Sequence, residues 1–460
     1  MTRSLDPDPL SKPRSAALRL SYVFRRAAFG LATTAWFAGA AQAGPLGGAV
    51  GGLGGLGGDV RGVLDGVSQG LDQDTDALAQ AAERADALAE ASLTRGQALV
   101  VAHPGALELD EHGAAAVRAE VMALDPSPEA LAAAAKDGFS ELHRQTLDPL
   151  GLTIVVLAPP PGLSDSQALH RIRKLDPGGR YDLDHIYAPS GSASGSIGEP
   201  PGHPSAAGAA SGPAPRIGMV DTGVAASHPA LVGARIEQQG FAPGAPTPAA
   251  HGTAVAFLMV GHAGAFHGSS PDAVLFAGDV YGAGPTGGSV DAIVRALAWM
   301  AGKKVQAVNI SLVGPPNLTL EAAVRALIAR GVLVVAPVGN DGPAAPAAYP
   351  ASYPGVIAVT AVDARGAPLF EDGRAAHLDF AAPGADLPAP NPDGGFTRVR
   401  GTSFAAPIVT GRLADFAALG DAPDVAVDVL ARHASRRGDA YGRGLVGMDL
   451  AAVASALPRK

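Results

Sequence analysis

From Arg216 onward, short, mostly apolar runs alternate with helical stretches, and this alternation limits the possible folds more than any other feature of the chain. The runs are Ile217–Val220, Ala273–Ala277, Val305–Ile310, Val332–Val338 and Val356–Val362; Ala254–Val260, Val290–Ala301, Leu320–Arg330 and Ala405–Leu419 carry the helical pattern. A strand that is apolar at every position must be covered on both faces, as happens in a parallel sheet whose crossovers are helices. Gly331 stands where a helix end wants a left-handed residue, just before Val332. The expected fold class is therefore α/β, a doubly wound and mostly parallel sheet, over residues 216–460. In such sheets functional side chains gather at the carboxyl ends of the strands.

The chain before Arg216 reads as four further segments. Residues 1–43 carry Arg25-Arg26, an uncharged run from Ala27 to Ala41, and Ala41-Gln42-Ala43 before Gly44, the layout of a signal peptide. The run is shorter than the roughly 20 residues a membrane-spanning helix needs, so the expectation is export, secreted or periplasmic, without a stable membrane anchor. Residues 44–96 comprise a Gly-rich tract, Gly44–Gly70, and one helix over Asp72–Leu93. Residues 97–188 read as a small α+β domain. Its strands are expected at Gln97–His103, Phe139–Leu147, Leu152–Leu157 and Tyr181–Tyr187, and its helices at Pro128–Lys136 and Gln167–Leu175. Residues 189–215 are a Gly/Ser/Pro linker, so part of the chain's content of 60 Gly and 39 Pro is tether.

Two exclusions follow from composition. A net charge of −9 argues against nucleic acid as a partner, and the absence of cysteine removes thiol nucleophiles, disulfides and thiolate zinc sites.

Three polar residues stand where the sheet rule would look for chemistry. Asp221 ends the first apolar run in Asp221-Thr222-Gly223; His251 opens a helix in His251-Gly252-Thr253; Ser403 opens another in Gly401-Thr402-Ser403-Phe404-Ala405-Ala406-Pro407. An aspartate can hold a histidine in one tautomer while that histidine takes the proton of a serine attacking a carbonyl. Asn340, after Gly339 at the end of the run Val332–Val338, offers a side-chain amide to an oxyanion, together with a backbone N–H at a helix start. A lone serine opening a helix is usually only a cap; its company raises Ser403 above that.

The order Asp, His, Ser with these local motifs resembles the subtilisin-like serine peptidases, the subtilases. Asn309-Ile310-Ser311-Leu312, Tyr349-Pro350-Ala351-Ser352, Ala382-Pro383-Gly384 and Tyr441-Gly442-Arg443-Gly444 extend the resemblance over about Arg216 to Ala456. It implies a serine endopeptidase acting on protein or peptide substrates, with Ser403 as nucleophile, His251 as general base and acid, Asp221 as orienting carboxylate and Asn340 as oxyanion donor. It also implies that residues 97–188 are a propeptide serving as intramolecular inhibitor, with self-processing in or near Pro189–Pro215. The same resemblance implies no required cofactor and no assigned metal, calcium being possible without identifiable ligands, and a monomer.

Departures from the family pattern fall around the pocket for the residue before the scissile bond. The resemblance assigns Ser311, Leu312, Val313, Gly314, Pro337 and Gly339 to substrate binding. Val313 stands where a second glycine is usual, and Pro337 and Val338 replace smaller residues, which predicts a preference for small side chains. Ala254 replaces a further histidine outside the triad.

Other patterns carry less. Asp221-Thr222-Gly223 has no second copy to make an aspartic peptidase, and Gly-x-Ser-x-Gly, the esterase elbow, is absent around Ser403. Gly282-Ala283-Gly284-Pro285-Thr286-Gly287 lacks the acidic residue of a dinucleotide site and reads as a substrate-edge loop. His262 and His267 are off the spacing of a helical zinc pair; His143, His170 and His185 read as isolated, and His228 as structural. The rival function is a catalytically silent, exported binding or scaffold protein built on the same fold.

Overall fold

A computed structural model describes residues 80–88, 95–197, 213–264, 266–420 and 422–447. The expected signal segment 1–43 and the tract Gly44–Gly70 lie outside the described residues, as does most of the linker 189–215.

The first part builds an antiparallel sheet from β1 (Leu107–Leu109), β2 (Ala115–Leu124), β3 (Ser140–Leu147), β4 (Leu152–Ala158) and β5 (Arg180–His185). β2 lies at its centre, pairing with β1, β4 and β5, while β3 pairs with β4. Helix α1 (Pro128–Lys136) is capped by the Ser127 hydroxyl, and α2 (Asp165–Leu175) by a reciprocal Ser164–Gln167 capping box. Both helices cover one face of the sheet around Val121, Val155, Ile172 and Leu183. The other face, with Met122, Leu124, Ile154 and Val156, joins an apolar cluster of the following part.

That following part is wound around seven parallel strands: β8 (Arg216–Asp221), β9 (Arg235–Gly240), β12 (Val274–Asp279), β13 (Ala307–Ile310), β15 (Leu333–Pro337), β16 (Ile357–Val362) and β17 (Phe380–Pro383). Their spatial order is β17-β16-β15-β13-β8-β12-β9, so the chain leaves the first strand one way, then returns past it to build the other wing. The reversal falls at β8, which puts the crevice of the sheet at Asp221. Helices α3 (Ala250–Val260) and α6 (Thr402–Ala418) fill one face with Ile217, Met219, Leu275 and Val359; α4 (Val290–Gly302) and α5 (Leu318–Ile328) fill the other with Val220, Phe276, Val308 and Val334. Every residue of α3 from Gly252 to Val260 is buried, and its small side chains let α6 approach closely. The fold class expected from the sequence is the one observed. A last helix, α7 (Pro423–His433), is followed by residues 434–447, whose Leu445 bridges to Ala381 at the end of the sheet.

Short strands complete the surface. β6 (Ala188–Pro189) pairs with β14 (Leu312–Val313), His262–Ala263 (β10) pairs with Phe266–His267 (β11), and β7 (Ser192–Ile197) pairs with β19 (Phe396–Arg400), which pairs with β18 (Leu387–Pro390).

The largest difference from expectation lies at Gln97–His103: residues 95–102 are helical, with Val101 78% exposed. So short an apolar run fits either element, and among the described residues no strand pairs with it. The helix expected over Asp72–Leu93 is helical at residues 80–88, its remaining residues being outside those described. Strands β1 and β2 were not expected; Ala119 at φ 60° interrupts β2, and the pairing register shifts between Ala116 and Val121. The apolar signal is broken at the same place by Arg118 and Glu120.

Candidate active site

Asp221 is the last residue of β8 and is wholly buried. Its Oδ1 accepts from the Thr222 N–H at 2.7 Å, which fixes the carboxylate at the sheet crevice. His251 sits in the first turn of α3, its Nδ1 2.8 Å and 3.0 Å from the two Asp221 oxygens. Its Nε2 lies 2.9 Å from Ser403 Oγ. The strand end is tied to the helix start twice: Thr222 Oγ1 accepts from Gly252 N–H at 2.8 Å, and Thr253 Oγ1 from Ala225 N–H at 3.0 Å. Position 252 must be glycine, since a Cβ there would sit 2.2 Å from the Thr222 carbonyl oxygen.

Ser403 is the second residue of α6, a helix entered through Gly401 at φ 139°. Pro407, one turn on, has no N–H, so it cannot donate to the Ser403 carbonyl four residues back. The Ser311 hydroxyl does so instead at 3.0 Å, and Asn309 Nδ2 donates to Ser311 Oγ at 2.7 Å, all within the core. Asn309 and the structural role of Ser311 escape sequence reasoning, because their partner lies 92 residues further along the chain. The one local signal is Pro407 inside a helix pattern.

Asn340 accepts through Oδ1 from the Thr402 N–H at 2.9 Å, while its Nδ2 is buried with no hydrogen-bond partner. A Cβ placed on Gly401 would lie 2.8 Å from Asn340 Nδ2 and 3.2 Å from the Ser190 carbonyl oxygen. An unused amide donor thus borders the same small space as that carbonyl.

The chain itself runs through the site. Tyr187 N–H donates to Gly288 O at 2.8 Å on one side, and β6 pairs with β14 on the other. Ser190 O accepts from the Ser403 N–H at 3.2 Å and from the Ser403 hydroxyl. Beyond it, β7 runs antiparallel to β19. Tyr281 and Gly288, which flank the loop Gly282–Gly287, both meet the chain here, the Tyr281 hydroxyl donating to Tyr187 O at 2.7 Å.

The pocket residues expected from the sequence divide. Leu312 and Val313 pair with Pro189 and Ala188, and Gly314 faces the Tyr187 ring, where a Cβ would come within 2.7 Å of it. A Cβ on Gly339 would lie 3.5 Å from Val313 Cγ1, so Val313 and Gly339 share one wall. Pro337 is buried as the last residue of β15, and Ser311 lies behind Ser403, supporting its helix.

The histidines His143, His170, His185 and His228 are not isolated. His143 lies 3.4 Å from Asp291 and His185 3.2 Å from Asp110, His170 lies near Glu111, and His228 Nδ1 accepts from Ala230 N–H. Asp341 pairs with Arg95. Among the described residues, no group of three or more His, Asp or Glu side chains is arranged to hold a metal ion, and calcium has no assigned ligands.

The last strand of the first sheet caps two helices of the second part. Asp184 Oδ1 accepts from Asp291 N–H at 3.0 Å at the start of α4, and Asp182 Oδ2 from Leu318 N–H at 2.7 Å at the start of α5. Burial, then the nearby Asp291 and Glu120, push the Asp184 carboxyl well above the usual carboxylate range. Burial also raises Asp291, but His143 and Arg295 outweigh it and hold that group low.

Residues 212–424 match the profile of the Subtilase family, peptidase S8. Subtilisin Savinase of Lederbergia lenta is 36% identical over 208 residues, covering 43% of this chain and 74% of that protein. Subtilisin DY of Bacillus licheniformis is 33% identical over 251 residues, 52% of this chain and 90% of that one. With the alkaline protease of Alkalihalobacillus alcalophilus, also 36% identical, the match spans about half of the relative's length, 53%. The crystal structure of fervidolysin from Fervidobacterium pennivorans superposes with a TM-score of 0.62 at 20% identity, covering 77% of this chain and 63% of that one, a likeness of fold. With 74% of a subtilisin matched at 36% identity on this sheet and these motifs, the chain belongs to the subtilase family.

Proposed function

We propose that the chain is an exported serine endopeptidase made as a self-processing zymogen, with Asp221, His251 and Ser403 as its triad and Asn340 as its oxyanion donor. The observation that carries this is the continuous line Asp221–His251–Ser403, with bonds of 2.8 Å and 2.9 Å, ending against a backbone carbonyl.

Asp221 keeps the proton of His251 on Nδ1, leaving Nε2 free to take the Ser403 proton. Ser403 Oγ attacks the substrate carbonyl carbon, and the growing negative charge on oxygen is met by the Ser403 N–H and by Asn340 Nδ2. His251 then returns the proton to the leaving amine, and water releases the acyl group by the same steps reversed. The buried, partnerless state of Asn340 Nδ2 suits a donor reserved for the oxyanion. Val313 beside Gly339 narrows the wall of the pocket, which supports a preference for small residues before the cut.

Export rests on residues 1–43; among the described residues no helix is long and apolar enough to cross a membrane. The inhibitory role of residues 97–188 rests on their packing against α4 and α5 and on the tail lying across Ser403.

Casein hydrolysis compared between wild type and Ser403→Ala tests the proposal. Loss of activity by a factor near 10⁶, the scale known from a subtilisin itself, is expected. A wild-type protein without activity, and unlabelled at Ser403 by a fluorophosphonate once residues 97–188 are removed, would instead be a silent binding protein.

A further inference from the structure

We propose that the bond this peptidase cuts in its own chain is Ser190–Gly191, chosen by strand pairing on both sides of the cut, by the buried Tyr187 and by glycine at position 191. The proposal rests on the peptidase reading above and deepens it.

Of the carbonyls in the stretch from Tyr187 to Ile197, that of Ser190 receives hydrogen bonds from both the N–H and the hydroxyl of Ser403. The residues before it are fixed by two edges. Pro189 and Ala188 oppose Leu312 and Val313, Ser190 N–H reaches Ser311 O at 3.5 Å, and Ile186 bridges to Ser289. The residues after it are fixed by a third edge, with Ser192 opposite Arg400, Ala193 opposite Val399 and Ile197 opposite Phe396. Strand addition supplies backbone hydrogen bonds whatever the side chains are, so register must come from elsewhere.

Two residues set that register. The Tyr187 side chain is wholly buried, its ring against Gly314 and its hydroxyl donating to Pro315 O. A slip of one residue would turn it to the opposite face. Gly191 is the second device: a Cβ there would lie 2.6 Å from Ser403 Oγ and 2.6 Å from Phe404 Cε2, so a side chain would displace the nucleophile or the ring beside it. The substrate class that follows is an extended peptide with a large aromatic residue three positions before a small one, which is followed directly by glycine.

The step balances with water as co-reactant. Ser403 Oγ bonds to the Ser190 carbonyl carbon as its proton passes to His251. The Ser190–Gly191 C–N bond breaks, and that proton leaves on the Gly191 amine. Water then attacks the ester, its proton passing through His251 to Ser403, and Ser190 ends as a carboxylate.

The test is N-terminal sequencing and intact mass of the full-length chain after expression, for wild type, Ser403→Ala and Gly191→Val, with casein hydrolysis measured in parallel. The expected product of wild type begins Gly191-Ser192-Ala193. Ser403→Ala should stay joined, and Gly191→Val, with its circular dichroism unchanged, should be cut at this bond about 10- to 100-fold more slowly. Wild type that hydrolyses casein but begins at another residue, or stays joined, overturns the bond and leaves the peptidase reading standing. Ser403→Ala cut as wild type is, or wild type both uncut and without casein activity, overturns both. Gly191→Val cut at the same bond at the wild-type rate overturns the role of glycine.

Discussion

The Ser311 hydroxyl stands in for a backbone hydrogen bond that Pro407 removes, and Ser311→Ala measures what that substitute is worth. The replacement strips the Ser403 carbonyl of its donor at 3.0 Å and Asn309 Nδ2 of its acceptor at 2.7 Å, both in residues with no exposed surface. Each stranded buried group costs about 1–3 kcal/mol, so the loss should come to about 2–6 kcal/mol. For a domain of this size that is a fall in Tm of roughly 5–20 °C. Scanning calorimetry in a Ser403→Ala background avoids self-digestion and leaves the backbone carbonyl in place. The decisive comparison adds Pro407→Ala, which returns an N–H four residues after the carbonyl. On its own this change should be nearly neutral; combined with Ser311→Ala it should recover about half of the lost Tm. Equal effects of Pro407→Ala in both backgrounds would refute the coupling, because independent sites add and partners do not.

Three further outcomes are expected. Asn340→Ala should lower kcat about 10²–10³-fold with little change in KM, a figure taken from a subtilisin, read from initial rates on a peptide substrate. Burial raises Asp372 from 3.8 to about 7, so the folded chain keeps a proton that the unfolded chain has lost; this stability is present at low pH and lost as pH rises toward about 7. Asp372→Asn, in a Ser403→Ala background, should therefore flatten the fall of Tm between pH 4 and pH 7. The interface between the first sheet and α4 holds Asp184, raised by burial, and His143, raised by its bond to Asp291, with Glu120 and Arg295 facing the same cluster. Both raised groups favour association at low pH and lose it as pH rises, so residues 97–190, once cut, should dissociate faster at alkaline pH; Asp184→Asn should weaken that dependence in stopped-flow or native mass measurements.

The strands of the central sheet were the most legible elements. β8, β12, β13, β15 and β16 announce themselves because nearly every interior position is apolar, Asn309 in β13 and Thr360 in β16 being the exceptions, and α1 because Ser127 caps it. The edge strand β9, Arg235–Gly240, alternates half-buried and exposed positions with charged and amide side chains, so its apolar signal is weak. The strand β18 contains two prolines, a composition that argues against a strand except at an edge. At the site, Asp221, His251, Ser403 and Asn340 were legible because each sits in a glycine-marked turn. Asn309, Ser311 and the course of Tyr187–Gly191 were not, since each acts through a contact made across some 90 residues or more.

Strands β6 and β7 also shield the molecule from other chains. While they are in place, the β14 edge and the outer edge of the β18–β19 hairpin are both hydrogen-bonded within one molecule. Once the segment before Gly191 departs, the β14 edge beside the nucleophile is an open ladder, and any extended chain can complete it, including that of a neighbouring copy. The mature form should accordingly be the more prone of the two to self-association at high concentration, and the precursor the better form in which to store the protein.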